Sequence, residues 1–178
     1  MTKHNFYVLT GGPGAGKTSL LNFLHKMGFS FIPETAREII KLRLARGLSP
    51  RPDPAEFARE MFRKDLDNFL SRADSNTILF FDRSFLDSAC LLVEADPDAD
   101  QEIENICLTN KFNRKVFITP PWEEIYQTDS ERDQDFEESI AVHNKIRKWY
   151  SQHGYDSVII PKNSIEQRAR FILDHILA

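Results

Sequence analysis

At 178 residues the chain is long enough for one domain with a full hydrophobic core and short for two. A hydrophobic share of 41%, including 14 Phe, argues against disorder as the main state, and a net charge of −4 argues against nucleic acid as the main partner. No apolar run approaches the ~20 residues that span a bilayer, and Met1 to Asn5 leave no room for a cleaved leader, so a cytoplasmic location is expected.

Phe6 to Leu9 is a short apolar run closed by Thr10 and a glycine cluster, and it reads as a buried strand. Thr18 to Met27 sets Leu20, Leu21, Leu24 and Met27 on one helical face, and Gly28 ends the helix. A second strand runs from Phe29 to Ile32 and stops at Pro33. The next helix, Glu34 to Arg46, shows Ala36, Ile40 and Leu44 on one face before Gly47. Pro50, Pro52 and Pro54 form a stiff lead into a helix from Ala55 to about Arg72. Thr77 to Phe81 is the clearest strand, and it ends on Asp82. Helices follow at Ser84 to Glu94 and Gln101 to Leu108, then a fourth strand from Lys115 to Thr119. A polar stretch and a long charged helix fill Trp122 to Gln152. Ser157 to Ile160 is a fifth strand, and Ile165 to Leu177 a last helix. Short apolar strands separated by helices, without hairpin signals, predict one α/β domain over 1–178. Its five-stranded parallel sheet would be covered by helices on both faces.

The strongest functional signal is Gly11-Gly12-Pro13-Gly14-Ala15-Gly16-Lys17-Thr18, which matches G-x-x-x-x-G-K-[ST] between a predicted strand and a predicted helix. Glycines let backbone N–H groups turn inward around a phosphate, and the helix N-terminus adds partial positive charge. Lys17 is expected on the β- and γ-phosphates, the Thr18 hydroxyl on Mg²⁺, and Pro13, with no N–H, as a stiffener. Gly11 to Ser19 are therefore the candidate nucleotide-binding residues, with ATP and Mg²⁺ as the implied ligands. The fold expected is that of a P-loop NTPase. Asp82, closing an apolar strand, supplies the acid expected to hold Mg²⁺ with Thr18; the competing reading is that Asp82 or Ser84 caps the next helix. Asp87 follows one turn later as a second acid near the site. Glu34, just past the second strand, suits the base that orients an acceptor hydroxyl. Its helix carries Arg37, Lys41, Arg43 and Arg46 as a basic side, open to an acidic headgroup, an acceptor phosphate or solvent.

Between Trp122 and Ser139 stand eight acids and one base, Arg132. The segment, about 122–139, is read as a lid with Arg132 as the cation for phosphoryl transfer, and Arg147 and Lys148 are second choices. Its acids favour a neutral or cationic acceptor. Cys90 and Cys107 read as buried structural thiols. Asp96 to Asp100 imitates a Ca²⁺ loop but has Gln101 where Gly is needed and Cys107 where Glu is needed, so it is rejected. The histidines share no ligand spacing and are expected on helix surfaces or interfaces. No N-K-x-D follows, and Asp82-Arg83-Ser84-Phe85 is not D-x-x-G, so a Ras-type GTPase lacks two of its parts.

Asp82-Arg83-Ser84 resembles the acid-Arg-Ser turn of nucleoside and nucleotide kinases, in which the arginine steadies a phosphate or the acceptor. With Pro33-Glu34-Thr35-Ala36-Arg37, the phosphate loop and Gln127-Thr128-Asp129-Ser130-Glu131-Arg132, nearly the whole chain resembles the NadR-type P-loop ATPase family. That resemblance implies a nucleoside/nucleotide-kinase-like fold and ATP binding. Resemblance to P-loop kinases implies adenine recognition near Pro161 to Ser164, the loop after the fifth strand. The function expected is an ATP-dependent kinase acting on a hydroxyl of a nucleoside-like small molecule, with Lys17, Glu34, Asp82, Arg83 and Arg132 as catalytic residues. A nucleotide-dependent switch that binds a partner or anionic lipid is the alternative, and a mechanical ATPase is the third reading.

Overall fold

A computed structural model describes residues 1–50, 52–126 and 135–177. In chain order it contains β1 (Phe6–Gly11), α1 (Lys17–Lys26), β2 (Ser30–Ile32), α2 (Thr35–Ala45), α3 (Pro54–Leu70) and β3 (Leu79–Asp82). These are followed by α4 (Phe85–Ala95), α5 (Asp100–Thr109), β4 (Lys115–Thr119), α6 (Phe136–Gln152), β5 (Asp156–Ile159) and α7 (Ile165–Leu177). The strands form one five-stranded sheet in the order β2-β3-β1-β4-β5. Every pairing is parallel.

The strands alternate their side chains between two cores, as a pleat requires. Phe6, Val8, Leu79, Phe81, Val116 and Ile118 face one side, where α3, α4, α5 and α6 cover them. Tyr7, Leu9, Phe80 and Phe117 face the other, against α1 and α7. The first core is aromatic at its centre. Phe69 meets Phe112 edge-on at 4.8 Å and Phe85 at 5.4 Å, while Phe81 lies 5.0 Å from Phe112. Offset and edge-on contacts of this kind add ~1 kcal/mol per pair beyond burial. Six of the fully or nearly buried phenylalanines, Phe6, Phe62, Phe69, Phe81, Phe85 and Phe112, lie in this core.

Local chemistry sets several boundaries. Asp53 caps α3 by accepting from the backbone N–H groups of Ala55 (3.0 Å) and Glu56 (3.2 Å), with Pro54 in the first turn. β3 starts at Leu79, two residues later than the apolar run predicts. The Asn5 amide donates to the carbonyls of Ser75 (2.9 Å) and Thr77 (2.6 Å), so the lead-in is tied by a side chain instead of a strand ladder. In α2 the apolar face is shifted: Thr35 and Ile39 are buried, whereas Leu44, expected inside, is 55% exposed. Helix α2 packs against α3 and buries only a narrow stripe. Met27, likewise expected on the buried face of α1, is 50% exposed because it already lies at the C-cap.

No helix among the described residues is long and apolar enough to cross a membrane. Cys90 and Cys107 are free and buried, and burial pushes both thiols up to about 12, which fits the structural reading. The surface expectation fails for two histidines. His143 is buried with Nδ1 3.2 Å from the Thr119 carbonyl, and burial lowers its pKa. His153 is also buried, with Nδ1 2.8 Å from the Trp149 carbonyl and Nε2 2.9 Å from Glu104. Both serve as hydrogen-bonding parts of the helix layer.

Candidate functional site at the carboxyl edge of the sheet

Parallel strands deliver their carboxyl ends to one edge, and all the expected site residues within the described chain lie along it. β1 runs directly into the phosphate loop. Gly14 and Gly16 adopt φ of 69° and 72°, a left-handed backbone that only glycine takes without strain. Gly12 meets a different constraint, because a Cβ there would lie 2.5 Å from the Ser139 hydroxyl and 2.7 Å from the Ser139 carbonyl. Ser139 in turn donates to the Pro13 carbonyl at 3.1 Å, so the first turn of α6 buttresses the loop from outside. The Lys17 ammonium is buried and donates to the carbonyls of Gly12 (2.7 Å) and Gly11 (3.2 Å), which sets a cation at the centre of the loop. Thr18 and Ser19 lie in the first turn of α1, and no acid in that turn opposes its positive end. From the far side Arg168 of α7 donates to the Ala15 carbonyl at 3.0 Å while its guanidinium lies 5.6 Å over the Trp122 ring.

The second half of the site comes from neighbouring strands. Ile32 is in register with Phe81, and Glu34 and Arg83 each lie two residues beyond that pair. Equal offsets on adjacent strands bring them together: Arg83 Nε donates to Glu34 Oε1 at 2.9 Å. Arg37 reaches the other oxygen of Glu34 at 3.3 Å. Arg83 is the only non-glycine residue with positive φ (67°) among the described residues, a conformation costing about 1–3 kcal/mol. Its backbone N–H donates to Leu9 at 3.0 Å, which fixes the twist that turns its side chain toward Glu34. Burial opposes its charge, but the carboxylates of Glu34, Asp87 and Asp82 outweigh burial and hold the guanidinium protonated.

Asp82 is buried at the end of β3, in register with Leu9 and so beside the exit of β1 into the loop. It is not the helix cap. Ser84 caps α4, accepting from Leu86 N–H at 3.1 Å and forming a reciprocal box with Asp87. Asp87 is a buried hub. It receives the Ser84 N–H at 3.0 Å, the Tyr150 hydroxyl at 2.7 Å and the Thr10 hydroxyl, and lies 3.6 Å from Arg83. Burial, then the Asp87 charge, raises Tyr150 well above its usual pKa, so it stays a donor. With so many donors converging, Asp87 is committed to orienting the Arg83 turn.

Glu34, Arg83 and Asp87 border a cavity of about 180 Å³ that opens beside Pro13 of the phosphate loop. Phe57, Met61, Leu91, Val142 and Ile146 form apolar walls, while Glu34, Arg83, Asp87 and Asp65 supply polar groups. Asp65, from α3, carries no local signal in the sequence that marks it as part of a site. Nor does Lys145, the α6 cation that borders the cavity and pairs with Glu94 at 2.6 Å. Arg147 and Lys148, the second choices for a transfer cation, are exposed on α6 away from the cavity lining. Two of the four bases on this side of α2 pair with carboxylates, Arg37 with Glu34 and Arg43 with Glu60 at 3.5 Å.

The expected lid is described only at its ends. Gln127 to Gln134, with Arg132, lie outside the described residues. Tyr126 on one side packs over Gly14 and, on the other, its ring lies 5.5 Å from Phe136. Ser139, taken as the end of the lid, belongs to α6. Two of the acids there are structural, since Asp135 and Glu138 form the capping box that starts α6, with both bonds at 2.8 Å.

Residues 6–168 match a family described as an AAA domain. The chain belongs to this AAA-domain family of P-loop proteins. Among solved structures it is similar to NadR protein in complex with NR, at TM-score 0.76 and 17% identity over 98% of this chain and 50% of that one. The AAA-domain chain thus spans about half the length of NadR. It is also similar to deoxyadenosine kinase from M. mycoides with bound dATP, at TM-score 0.67 and 14% identity over 97% of this chain and 100% of that one. NadR in complex with NAD and AMP-PNP matches at TM-score 0.69 and 16% identity, over 96% of this chain and 48% of that one. No curated protein sequence matches. At such identities the likeness establishes the fold, the parallel sheet of P-loop nucleoside kinases.

Proposed function

We propose that this chain is an ATP-dependent kinase that transfers the γ-phosphoryl group to a hydroxyl of a small, nucleoside-like molecule. The observation that carries the reading is the Glu34–Arg83 pair at the mouth of a cavity that adjoins the phosphate loop. A switch or a mechanical ATPase needs no acceptor-sized space there, nor a strained arginine holding a carboxylate.

The donor nucleotide would lie along Gly11 to Ser19, with Lys17 turning from the loop carbonyls to the β- and γ-phosphates. Among the described residues no group of three or more His, Cys, Asp or Glu stands ready to hold a metal. Mg²⁺ in such sites is taken by one or two carboxylates plus substrate phosphates, and the oxygen donors of Thr18 and Asp82 fit that pattern. When bound, Mg²⁺ would neutralise charge on the transferring phosphates. The acceptor oxygen forms its bond to the γ-phosphorus as the bond to the β,γ-bridging oxygen breaks. The hydroxyl proton passes to Glu34, and ADP leaves with the electron pair of the broken bond. Arg83 holds the Glu34 carboxylate in orientation through their 2.9 Å ion pair.

The test is acceptor dependence. Purified protein with Mg·ATP is offered nucleosides, sugars and aminoglycosides, and ADP and phosphorylated product are read by mass. Release of ADP that rises only with one class of acceptor supports the kinase. Nucleotide binding with no acceptor-stimulated ADP in any class supports a switch.

A further inference from the structure

The cavity contains a carboxyl group that neither phosphate transfer nor the fold accounts for. Asp65 projects from α3 between α2 and α4 and lines the same space as Glu34 and Arg83. Its Oδ2 accepts from the Ser88 hydroxyl at 2.5 Å, and the Thr35 hydroxyl lies nearby outside hydrogen-bond geometry. The other charged groups around the cavity are matched. Arg83 answers Glu34 and Asp87, and Lys145 of α6 answers Glu94. Among the described residues no cation pairs with Asp65. Protein atoms enclose the carboxyl, yet the residue keeps a part-exposed edge, and that edge belongs to the cavity lining. Burial raises its pKa to about 7; the Ser88 hydroxyl and the nearby Thr35 hydroxyl draw it down, and the charges of Asp87 and Glu34 add to the rise. Cys90, on the α4 wall, is pushed up to about 12 and does not titrate in this range.

A buried carboxylate without a cation is costly unless a ligand completes it. The walls around it, Phe57, Met61, Leu91, Val142 and Ile146, suit a flat apolar body such as a heterocycle. We propose that Asp65 is the specificity-determining residue of the acceptor cavity, selecting a nucleoside-like acceptor whose ring edge bears a positive charge or an exocyclic amino donor. This rests on the kinase reading for the word acceptor, but the selection is a binding property and can be measured without turnover.

The selecting form is the carboxylate, so the sign follows from the raised pKa. Discrimination is present above about pH 7 and fades as Asp65 protonates below it. Glu34, Asp87 and Lys145 face the same cavity, and the variants below separate their titration from that of Asp65.

Two probe pairs isolate the two chemistries. Ribosylnicotinamide and its dihydro form differ in ring charge, and guanosine and inosine differ in one exocyclic amine. Calorimetric binding is measured at about pH 6 and about pH 8, either side of the Asp65 pKa, for wild type, Asp65→Asn and Ser88→Ala. In at least one pair the charged or aminated member should bind wild type about tenfold tighter at the higher pH, the scale of one charge-assisted hydrogen bond. That gap should shrink to within about threefold at the lower pH and in Asp65→Asn. Asparagine keeps the size and a bond to Ser88, and a thermal melt checks that the variant folds. Ser88→Ala removes the bond that draws the Asp65 pKa down, so the pH midpoint of discrimination should move upward, which a merely structural role would not produce. Equal affinities within both pairs, no binding of any probe, or a gap that survives Asp65→Asn overturns the proposal. ADP release is recorded separately. Equal affinity within each pair together with ADP release sinks the Asp65 inference and leaves the kinase, whereas selective binding without ADP release sinks the kinase and leaves Asp65.

Discussion

The phosphate loop and the cavity beside it are built by opposite routes. The loop is contiguous: one strand end, three turning glycines and one helix start supply nearly all its groups, and its cation folds onto its own carbonyls. The cavity is assembled from the ends of β2 and β3 and from faces of α3, α4 and α6, so no stretch of chain contains it. A contiguous site keeps its geometry when surrounding helices change. An assembled one depends on register, on a strained turn at Arg83 and on a buried hub at Asp87.

The largest effect should fall on the assembled half. Glu34→Gln should retain ATP affinity and lose roughly 10²–10⁴ in transfer rate, the scale of general-base catalysis. Rapid-quench measurement with an acceptor found by the screen decides it, and normal turnover removes Glu34 from the mechanism. The contiguous half is probed by Lys17→Ala, which should weaken Mg·ATP binding by about 10²-fold while the melting curve stays close to wild type. Unchanged affinity in calorimetry would break the assignment of the loop.

Tyr150→Phe removes one donor from Asp87 deep in the cavity wall and should destabilise the protein by about 1–3 kcal/mol without altering ATP affinity. Denaturant unfolding measures the first and calorimetry the second. A loss of ATP affinity would mean that the two halves are not independent. The smallest effect is a contrast at Arg83. Both Arg83→Ala and Arg83→Gly lose the ion pairs, but glycine relieves the left-handed backbone, so Arg83→Gly should be more stable than Arg83→Ala by about 1 kcal/mol. Equal stabilities would mean that the turn is not strained.

Stability should also carry a pH signature from Asp65. Its folded pKa of about 7 exceeds the unfolded value of 3.8, so the folded state holds the proton more tightly. This contribution is full at low pH and is lost as pH rises from about 4 through about 7. Asp65→Asn should flatten that part of the stability profile, as followed by urea midpoints.

Much of this was legible in the residues themselves. Apolar runs of strand length, glycines at helix ends and the phosphate-loop spacing are local signals, and they located every strand and the placement of the loop motif between β1 and α1. The placement of Glu34, Asp82 and Arg83 at one sheet edge was legible because parallel strands deliver their carboxyl ends to the same edge. The α2 face and the burial of His143 were not, because they depend on which neighbour covers a helix. Sequence periodicity says that a face exists, and only packing says which one is used.

The sequence by itself determined the parallel α/β architecture and the phosphate loop, because hydrophobic period and backbone freedom act over a few residues. Only the tertiary structure decided that Glu34 meets Arg83, that Asp87 is tied to Tyr150 and Thr10, and that Asp65 faces the cavity. The bonded partners are separated by 49, 63 and 77 residues, and Asp65 reaches the cavity from a different helix than Glu34. Their meeting follows from strand register and helix packing, which are properties of the whole chain and not of any segment.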